Sequence, residues 1–232
     1  MVIIKGLQKT CLVDFEPYMA ATVFLGGCNF RCGFCHNPDL VINTKETEDI
    51  PEQEFFDFLD ERKKWLEGVC ITGGEPCLYE DLPLFLNKIK EKGLLVKLDT
   101  NGSNPELLSK LLRLKLLDYI AMDIKTKFNN YDEVCKVKVD IEKIKESIQI
   151  IKDSKINYEF RTTVIPNFIT KEDIKEIAKH IKGAKKYVIQ NFSNKNNMIN
   201  NHFKTNSQYK KEELEDMKKS ISKLITEVII KD

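Results

Sequence analysis

The sequence lacks a fourth cysteine where one would complete a metal site. Cys28, Cys32 and Cys35 stand in the stretch Gly26-Gly27-Cys28-Asn29-Phe30-Arg31-Cys32-Gly33-Phe34-Cys35-His36-Asn37-Pro38, spaced C-x3-C-x2-C, and no other cysteine follows nearby. That shortage excludes several ordinary uses of cysteine. Structural zinc takes four ligands, typically from paired C-x2-C knuckles or a Cys/His set. His36 adjoins Cys35 and is poorly placed to close a tetrahedron with it. Disulfides need an oxidising compartment, and an odd set of three would leave a thiol over. A cubane iron–sulfur cluster has four irons and normally takes four thiolates. Three clustered thiolates leave one iron open, and an open iron is a place for chemistry rather than for storing an electron.

Net charge is almost absent too, with 37 Lys+Arg against 36 Asp+Glu leaving +1. This gives no electrostatic footprint for a nucleic acid or an anionic membrane. No apolar run approaches the roughly 20 residues of a membrane span, and Met1 to Lys9 lacks the apolar core of a secretory signal. The expectation is a soluble, cytoplasmic protein with reduced thiols. Lysine doublets such as Lys185-Lys186 and Lys218-Lys219 read as solvated surface. The other cysteines, Cys11, Cys70, Cys77 and Cys135, are scattered and form no second C-x2-C group. Cys70 lies in an apolar strand pattern and reads as a small core residue. Cys77 follows a Gly-Gly-Glu-Pro turn and reads equally as facing a cavity or as packing. No second cluster is expected, so any electron for the first must come from another protein.

What the chain does contain is regular alternation. A β element covers roughly 2–15, and Ala20 to Leu25 reads as a buried strand ending at Gly26-Gly27. The helix after Pro51 turns Phe55, Phe56, Leu59 and Leu66 inward. Val69 to Thr72 is a strand ending at Gly73-Gly74, and a helix over 81–91 sets Leu82, Phe85, Leu86 and Ile89 at 3–4 spacing. Leu94 to Leu98 is a strand ending at Asp99-Thr100-Asn101-Gly102, and Pro105 opens a leucine-rich helix to about 115. Tyr119 to Met122 runs into Asp123-Ile124-Lys125 and is followed by a helix marked by Ile141, Ile144, Ile148 and Ile151. Tyr158 to Ile165 is a strand stopped by Pro166, and Ile174, Ile177, Ala178 and Ile181 mark the next helix. Tyr187 to Ile189 is a strand ending at Gln190. Leu214, Met217, Ile221 and Leu224 mark the last helix, and Glu227 to Ile230 reads as a short strand.

A strand–helix unit repeated about six times implies a parallel sheet with helical crossovers, an α/β fold. The 232 residues suit one domain, with its core over about 16–192, a flexible loop over 193–209, and a helix and tail over 210–232. A closed eight-unit barrel typically needs roughly 250 residues, so an open six-strand arc fits better. Sites on such sheets gather at the carboxyl ends of the strands. Those ends carry Gly26-Gly27-Cys28, Gly73-Gly74-Glu75, Asp99-Thr100-Asn101, Asp123-Ile124-Lys125, Arg161 and Gln190. Residues 193–208 break the rhythm with six asparagines. They read as a flexible surface loop, with a mobile lid or partner dock beside the barrel mouth as the functional alternative.

The cysteine triad with an aromatic before its last member, followed after the second strand by Gly73-Gly74-Glu75-Pro76, resembles the radical S-adenosylmethionine (SAM) superfamily. The opening Gly6-Leu7-Gln8-Lys9-Thr10, the pair Val13-Asp14 and the run through Cys35-His36-Asn37-Pro38 resemble the glycyl-radical-enzyme activases, specifically the anaerobic ribonucleoside-triphosphate reductase activating group. The similarity runs from residue 4 to about 192. It implies a partial (β/α)6 barrel with a short N-terminal β element, holding a [4Fe–4S] cluster on Cys28, Cys32 and Cys35. SAM's amino and carboxylate groups would chelate the open iron. One electron from the reduced cluster would then break the sulfonium bond, giving methionine and a 5′-deoxyadenosyl radical, while the protein orients SAM and excludes water.

The resemblance also assigns roles. Gly73 and Gly74 let backbone approach the methionine amino group and Glu75 accepts its hydrogen bonds, although Gly-Gly-Glu-Pro alone would be an ordinary tight turn. Phe34 packs near the adenine, or simply in the core. Asp99, Thr100 and Asp123 match positions that hold a monovalent cation near the SAM carboxylate in related activases; Asn101 joins them as a cofactor-binding position. Two carboxylates could equally form separate salt bridges. Lys125 and Arg161 bind SAM's carboxylate, or form surface ion pairs. Gln190 hydrogen-bonds near the adenosine, although Gln190-Asn191-Phe192-Ser193 lacks the proline that many relatives have soon after. His36 serves the cluster's surroundings or the loop's structure.

Three functions follow. In the first, the radical abstracts a Cα hydrogen from a glycine of a large glycyl-radical enzyme, the anaerobic ribonucleotide reductase, with a flavodoxin- or ferredoxin-type electron donor. The second keeps the chemistry on a small molecule, such as a deazapurine precursor, or a peptide. The third is a non-catalytic electron carrier, which would normally saturate its cluster with four ligands.

Overall fold

The computed structural model describes residues 1–194 and 197–231. One eight-stranded sheet runs in chain order: β1 (Ile4–Cys11), β2 (Ala20–Leu25), β3 (Gly68–Gly73), β4 (Leu95–Thr100), β5 (Tyr119–Asp123), β6 (Asn157–Val164), β7 (Lys186–Asn191) and β8 (Glu227–Lys231). β1 is antiparallel to β2, and every later pair is parallel. β1 and β8 are the two edges, so the curved sheet stays open.

Helices α1 (Pro38–Val41) and α2 (Glu52–Arg62) follow β2, α3 (Leu82–Glu91) follows β3 and α4 (Pro105–Arg113) follows β4. After β5 come α5 (Tyr131–Cys135) and α6 (Ile141–Asp153); α7 (Lys171–His180) follows β6 and α8 (Lys211–Ile221) follows β7. The six strand–helix units of the sequence pattern are β2 to β7 with their crossovers, and β8 adds a seventh parallel strand. Local signals set the helix starts. Asn104 caps α4 by accepting from Leu107 N, and Thr170 with Asp173 forms a capping box on α7. The short helices α1 and α5 hold too few residues to show a 3.6-residue period, so the sequence gives no cue to them.

Register explains the two faces of the sheet. The row Val23, Ile71, Leu98, Ile120 and Tyr158 lies side by side across β2–β6 and is buried under the helices. One residue along, the alternate row holds Thr22, Cys70, Lys97 and Tyr119, and further up Asp99 aligns with Ala121 and Glu159, and Asp123 with Arg161. Side chains alternate across a strand, so the polar set shares the inner face. Phe15, on the turn between β1 and β2, closes the amino-terminal floor of the barrel. A Cβ on Gly68 would sit 2.9 Å from its ring, and its centroid lies 5.1 Å from Tyr18 and 6.1 Å from Tyr119. The β element expected over 2–15 thus stops at Cys11, and the remainder becomes the floor.

Candidate active site

A cavity of about 200 Å³ opens at the carboxyl ends of β2–β6. Cys28, Cys32 and Cys35 line it together with Phe34, Gly73, Gly74, Glu75, Asp99, Thr100, Asn101, Asp123, Lys125 and Arg161. The fold therefore gathers residues from the ends of β3, β4, β5 and β6 and from the cysteine loop after β2 around one space.

The cysteine loop leaves β2 and is pinned at several points. Gly27 N donates to Leu40 O at 2.7 Å, Cys35 N to Cys32 O at 3.0 Å, and Phe30 N to Cys28 Sγ at 3.3 Å. The Arg31 guanidinium folds over the loop onto the carbonyls of Cys28 and Phe30, at 2.5 and 2.8 Å. Burial, with the nearby Glu75 charge, pushes the Cys28 thiol up to about 12, and burial also raises Cys35. The neighbouring Cys135 thiol draws Cys32 down against its burial, helped by the Lys125 charge.

The Gly73-Gly74 pair has a steric reason in this chain. Gly73 has φ +125°, and a Cβ there would lie 2.2 Å from Leu25 N. A Cβ on Gly74 would lie 1.8 Å from Gly27 O. Gly74 N and Glu75 N donate to Leu25 O and Gly27 O, each at 2.8 Å. The turn is pressed backbone to backbone against the root of the cysteine loop, which only glycine permits.

Glu75 is almost wholly buried at 1% exposure. Its Oε1 accepts from Cys77 N at 2.9 Å and Thr100 Oγ1 at 2.7 Å, and its Oε2 from Asn101 N at 2.6 Å. Burial raises its pKa despite these donors. A carboxylate offers about four acceptor positions, so three donors leave one, on Oε2. Thr100 reaches the site through Glu75. The Asn101 side chain instead ties to Asn29 Oδ1 at 2.9 Å, linking β4 to the cysteine loop. Cys77 is fully buried against Thr100 Oγ1 at 3.6 Å and lines no part of the cavity, so of its two readings it is packing.

The charged residues form one network. Arg161 spans both aspartates, with Nε 2.8 Å from Asp123 Oδ1 and a terminal nitrogen 3.1 Å from Asp99 Oδ2. Lys125 Nζ lies 2.9 Å from Asp123 Oδ2, and Lys97 Nζ 3.4 Å from Asp99 Oδ1, an oxygen with no hydrogen bond. Burial alone would raise Asp123, but Arg161 and Lys125 outweigh it and hold its carboxyl well below the usual range. Burial works against Lys125 as well, and the Asp123 charge reverses it, so its pKa is raised. Both aspartates are thus already bonded to cations of the protein. Among the described residues, no three Cys, His, Asp or Glu side chains converge as a ready-made metal site; the three thiols share one cavity wall without being drawn together.

Phe34 combines core packing with a place on the cavity wall. It is 6% exposed at the cavity wall, and its ring packs edge-on against Phe168 and Phe203, with centroids at 6.2 and 5.9 Å. His36 lines the cavity and lies 2.9 Å by Nε2 from Ser193 O. Gln190 is not part of the wall. It aligns with Thr163, which is, so it shares the inner face one strand beyond the cavity.

Residues 22–182 match the radical SAM superfamily. The chain belongs to that superfamily. Nearly the whole chain is similar to activating enzymes. A Methanocaldococcus jannaschii protein named as a candidate glycyl-radical enzyme activating enzyme is 34% identical over 99% of this chain and 95% of its own. The pyruvate formate-lyase-activating enzyme of Clostridium pasteurianum is 25% identical over 97% of this chain and 98% of its own. These place the chain in the activase group. An Archaeoglobus fulgidus 7-carboxy-7-deazaguanine synthase is 27% identical over 69% of both chains. Among solved structures, Streptococcus suis SuiB bound to S-adenosylmethionine shares the fold at TM-score 0.63 and 18% identity, covering 89% of this chain and 48% of SuiB.

The radical SAM superfamily uses SAM and a [4Fe–4S] cluster, and this donor set suits such a cluster: three thiols of one loop on one wall, with a charged pocket opposite. Sequence reasoning missed several wall residues. Thr72 follows Cys70 by two, and Thr163 follows Arg161 by two, so the strand period of two would have found both. It also missed how the Asn-rich stretch reaches the loop. Asn200 N donates to Gly33 O at 2.8 Å, a Cβ on Gly33 would come 2.8 Å from the Phe203 ring, and Phe203 also packs on Phe168 and Phe192. Gln208 Nε2 to Phe192 O at 2.7 Å fastens the far end of this strap. Lys195 and Asn196 lie outside the described residues.

Proposed function

We propose that this protein generates a glycyl radical on a partner enzyme, the anaerobic ribonucleoside-triphosphate reductase. The observation that carries the reading is the convergence of the three-cysteine loop, the Gly73-Gly74-Glu75 turn and the Asp99–Arg161–Asp123–Lys125 network on one cavity. Cys28, Cys32 and Cys35 would hold the cluster through three of its irons. When bound, the cluster would supply the one electron that cleaves SAM to methionine and a 5′-deoxyadenosyl radical, and that radical would take a Cα hydrogen from a glycine of the partner.

The protein's own residues bind and orient. The backbone of Gly73 and Gly74 and the free acceptor position on Glu75 Oε2 suit the methionine ammonium. Arg161 and Lys125 present cationic donors to a carboxylate, with Asp99 and Asp123 holding them in place. Phe34 offers a ring face or edge to an adenine, and Gln190 a hydrogen-bonding group on the same inner face. This reading needs no monovalent cation at Asp99 and Asp123, because Arg161 bonds to both while Lys125 lies beside Asp123 and Lys97 beside Asp99. The electron comes from a flavodoxin- or ferredoxin-type donor.

The test is anaerobic reconstitution with iron and sulfide, reduction, and addition of SAM and purified reductase. A glycyl-radical signal by electron paramagnetic resonance is expected. SAM cleavage without that signal would move the activity to another substrate. The similarity to a 7-carboxy-7-deazaguanine synthase favours one specific alternative, a small deazapurine-type substrate, which the same reconstituted enzyme tests by product analysis.

A further inference from the structure

Asn29, the residue after the first cysteine of the loop, has no role in the sequence pattern, yet it closes a ring of hydrogen bonds. Its Oδ1 accepts from Asn101 Nδ2 at 2.9 Å, its Nδ2 donates to Ser103 Oγ at 2.8 Å, and Ser103 N donates to Asn101 Oδ1 at 2.9 Å. A backbone N–H can only donate, so Ser103 fixes which end of the Asn101 amide is oxygen. The amide nitrogen of Asn101 is thereby turned toward the cysteine loop, where it also lies 4.0 Å from the Cys28 sulfur. Asn101 is buried, and its backbone N donates to Glu75 Oε2 at 2.6 Å. One residue thus holds the Glu75 carboxylate with its backbone and the cysteine loop with its side chain. The turn that carries Asn101 is itself fixed. Gly102 has φ +75°, a Cβ there would lie 2.0 Å from Met122 Cε, and Gly102 O accepts from Ser147 Oγ at 2.7 Å. Asn29 is exposed and lines no part of the cavity. Water would satisfy an exposed amide there, so burial does not demand the ring.

We propose that Asn29 and Asn101 form a clamp that sets the distance between the Glu75 carboxylate and the cysteine loop, and so between the seat of SAM's ammonium and the metal held by that loop. Asn29 is a positioning residue, acting through the loop from outside the cavity. SAM has to meet two anchors at once, the pocket around Glu75 and the metal. Where the loop is free to drift, only the fraction of molecules with both anchors in place binds at full strength, and the apparent affinity falls by that fraction. The inference rests on the reading of the cavity as a SAM and cluster site.

The experiment reconstitutes wild type, Asn29→Ala, Asn101→Ala and the double variant anaerobically, counts iron, records melting temperatures, and titrates SAM into each by calorimetry. Asn29→Ala is expected to keep wild-type iron and melting temperature and to bind SAM about five- to tenfold more weakly, the worth of one hydrogen bond. Asn101→Ala weakens SAM binding at least as much, and the double variant weakens it no further, because a single clamp is lost only once. Wild-type SAM affinity in Asn29→Ala overturns the inference, as do losses that add in the double variant. Loss of iron from a folded Asn29→Ala overturns it too, since the side chain would then secure the cluster itself rather than a distance. Should Asn29→Ala fail to fold, Ser103→Ala removes the hydroxyl acceptor, opens the same ring from its other side and repeats the comparison. Wild type that takes up no iron, or that binds no SAM once loaded, would sink the reading of the cavity instead, so the two failures are distinct.

Discussion

The two ends of the barrel are built from the same inward-facing rows and come to opposite uses. At the floor, Lys97 Nζ donates to Asp14 O, Thr22 Oγ1 donates to Asp14 Oδ2 at 2.6 Å, and Tyr119 Oη to Glu159 Oε2 at 3.0 Å. Lys186 Nζ lies 3.3 Å from Glu159, and only about 20 Å³ of space is left. At the mouth, Arg161, Lys125 and the two aspartates border a cavity of about 200 Å³. A dense set of charges therefore does not by itself mark a binding site. The floor's charges are used up on one another beneath Phe15. The mouth's charges face open space beside a glycine turn that keeps side chains out.

Variants can break this contrast, beginning with the largest effect. Cys32→Ala should lower iron from about four per chain to background, with the far-ultraviolet circular dichroism unchanged. Iron retained at wild-type level would remove the mouth's defining chemistry. Gly74→Ala forces a Cβ to 1.8 Å from Gly27 O, an overlap that should cost more than about 4 kcal/mol in urea unfolding; Gly68→Ala at the floor meets the ring of Phe15, which can shift, and should cost less.

The sharpest comparison pairs Asp123→Asn with Glu159→Gln. The first should weaken SAM binding at least about tenfold, roughly 1.4 kcal/mol, by calorimetric titration. The second should leave SAM binding alone and lower unfolding stability by about 1–3 kcal/mol. Equal loss of SAM affinity in both would erase the distinction between the ends.

Acid addresses both ends together. Asp123 and Glu159 sit below their ordinary values because Arg161, with Lys125 at the mouth and with Lys97 and Lys186 at the floor, outweighs burial. A depressed carboxylate contributes stability above its unfolded pKa of about 4, and that contribution is lost as pH falls through the lower folded value. Urea midpoints should therefore drop between pH 5 and pH 2, and less so in Asp123→Asn. The smallest effect belongs to Phe203→Ala, which should speed iron release to a chelator a few-fold with little change in melting temperature.

The sequence made the six strand–helix units legible because apolar runs alternate in period, and strand ends announce themselves with Gly, Asp and Asn. The cysteine triad and Gly73-Glu75 were legible from spacing and order. What stayed hidden depends on contacts between distant parts of the chain. Nothing local shows that Gly74 faces Gly27 O, that Arg161 bridges two aspartates from different strands, or that Phe203 sits on Gly33. α5 is too short for periodicity to register, so the place of Cys135 was hidden with it. Thr163 was readable in principle, two positions beyond Arg161 on the same strand face.

The loop that follows β2 and the strap that follows β7 spring from strands lying one place in from opposite margins of an unclosed sheet. They meet through Asn200 on Gly33, Phe203 on Phe34 and Ser193 on His36. This contact works as a clasp across the gap that strand pairing leaves unbridged. How firmly the thiols keep their spacing is thereby coupled to how far apart the sheet's two borders stand.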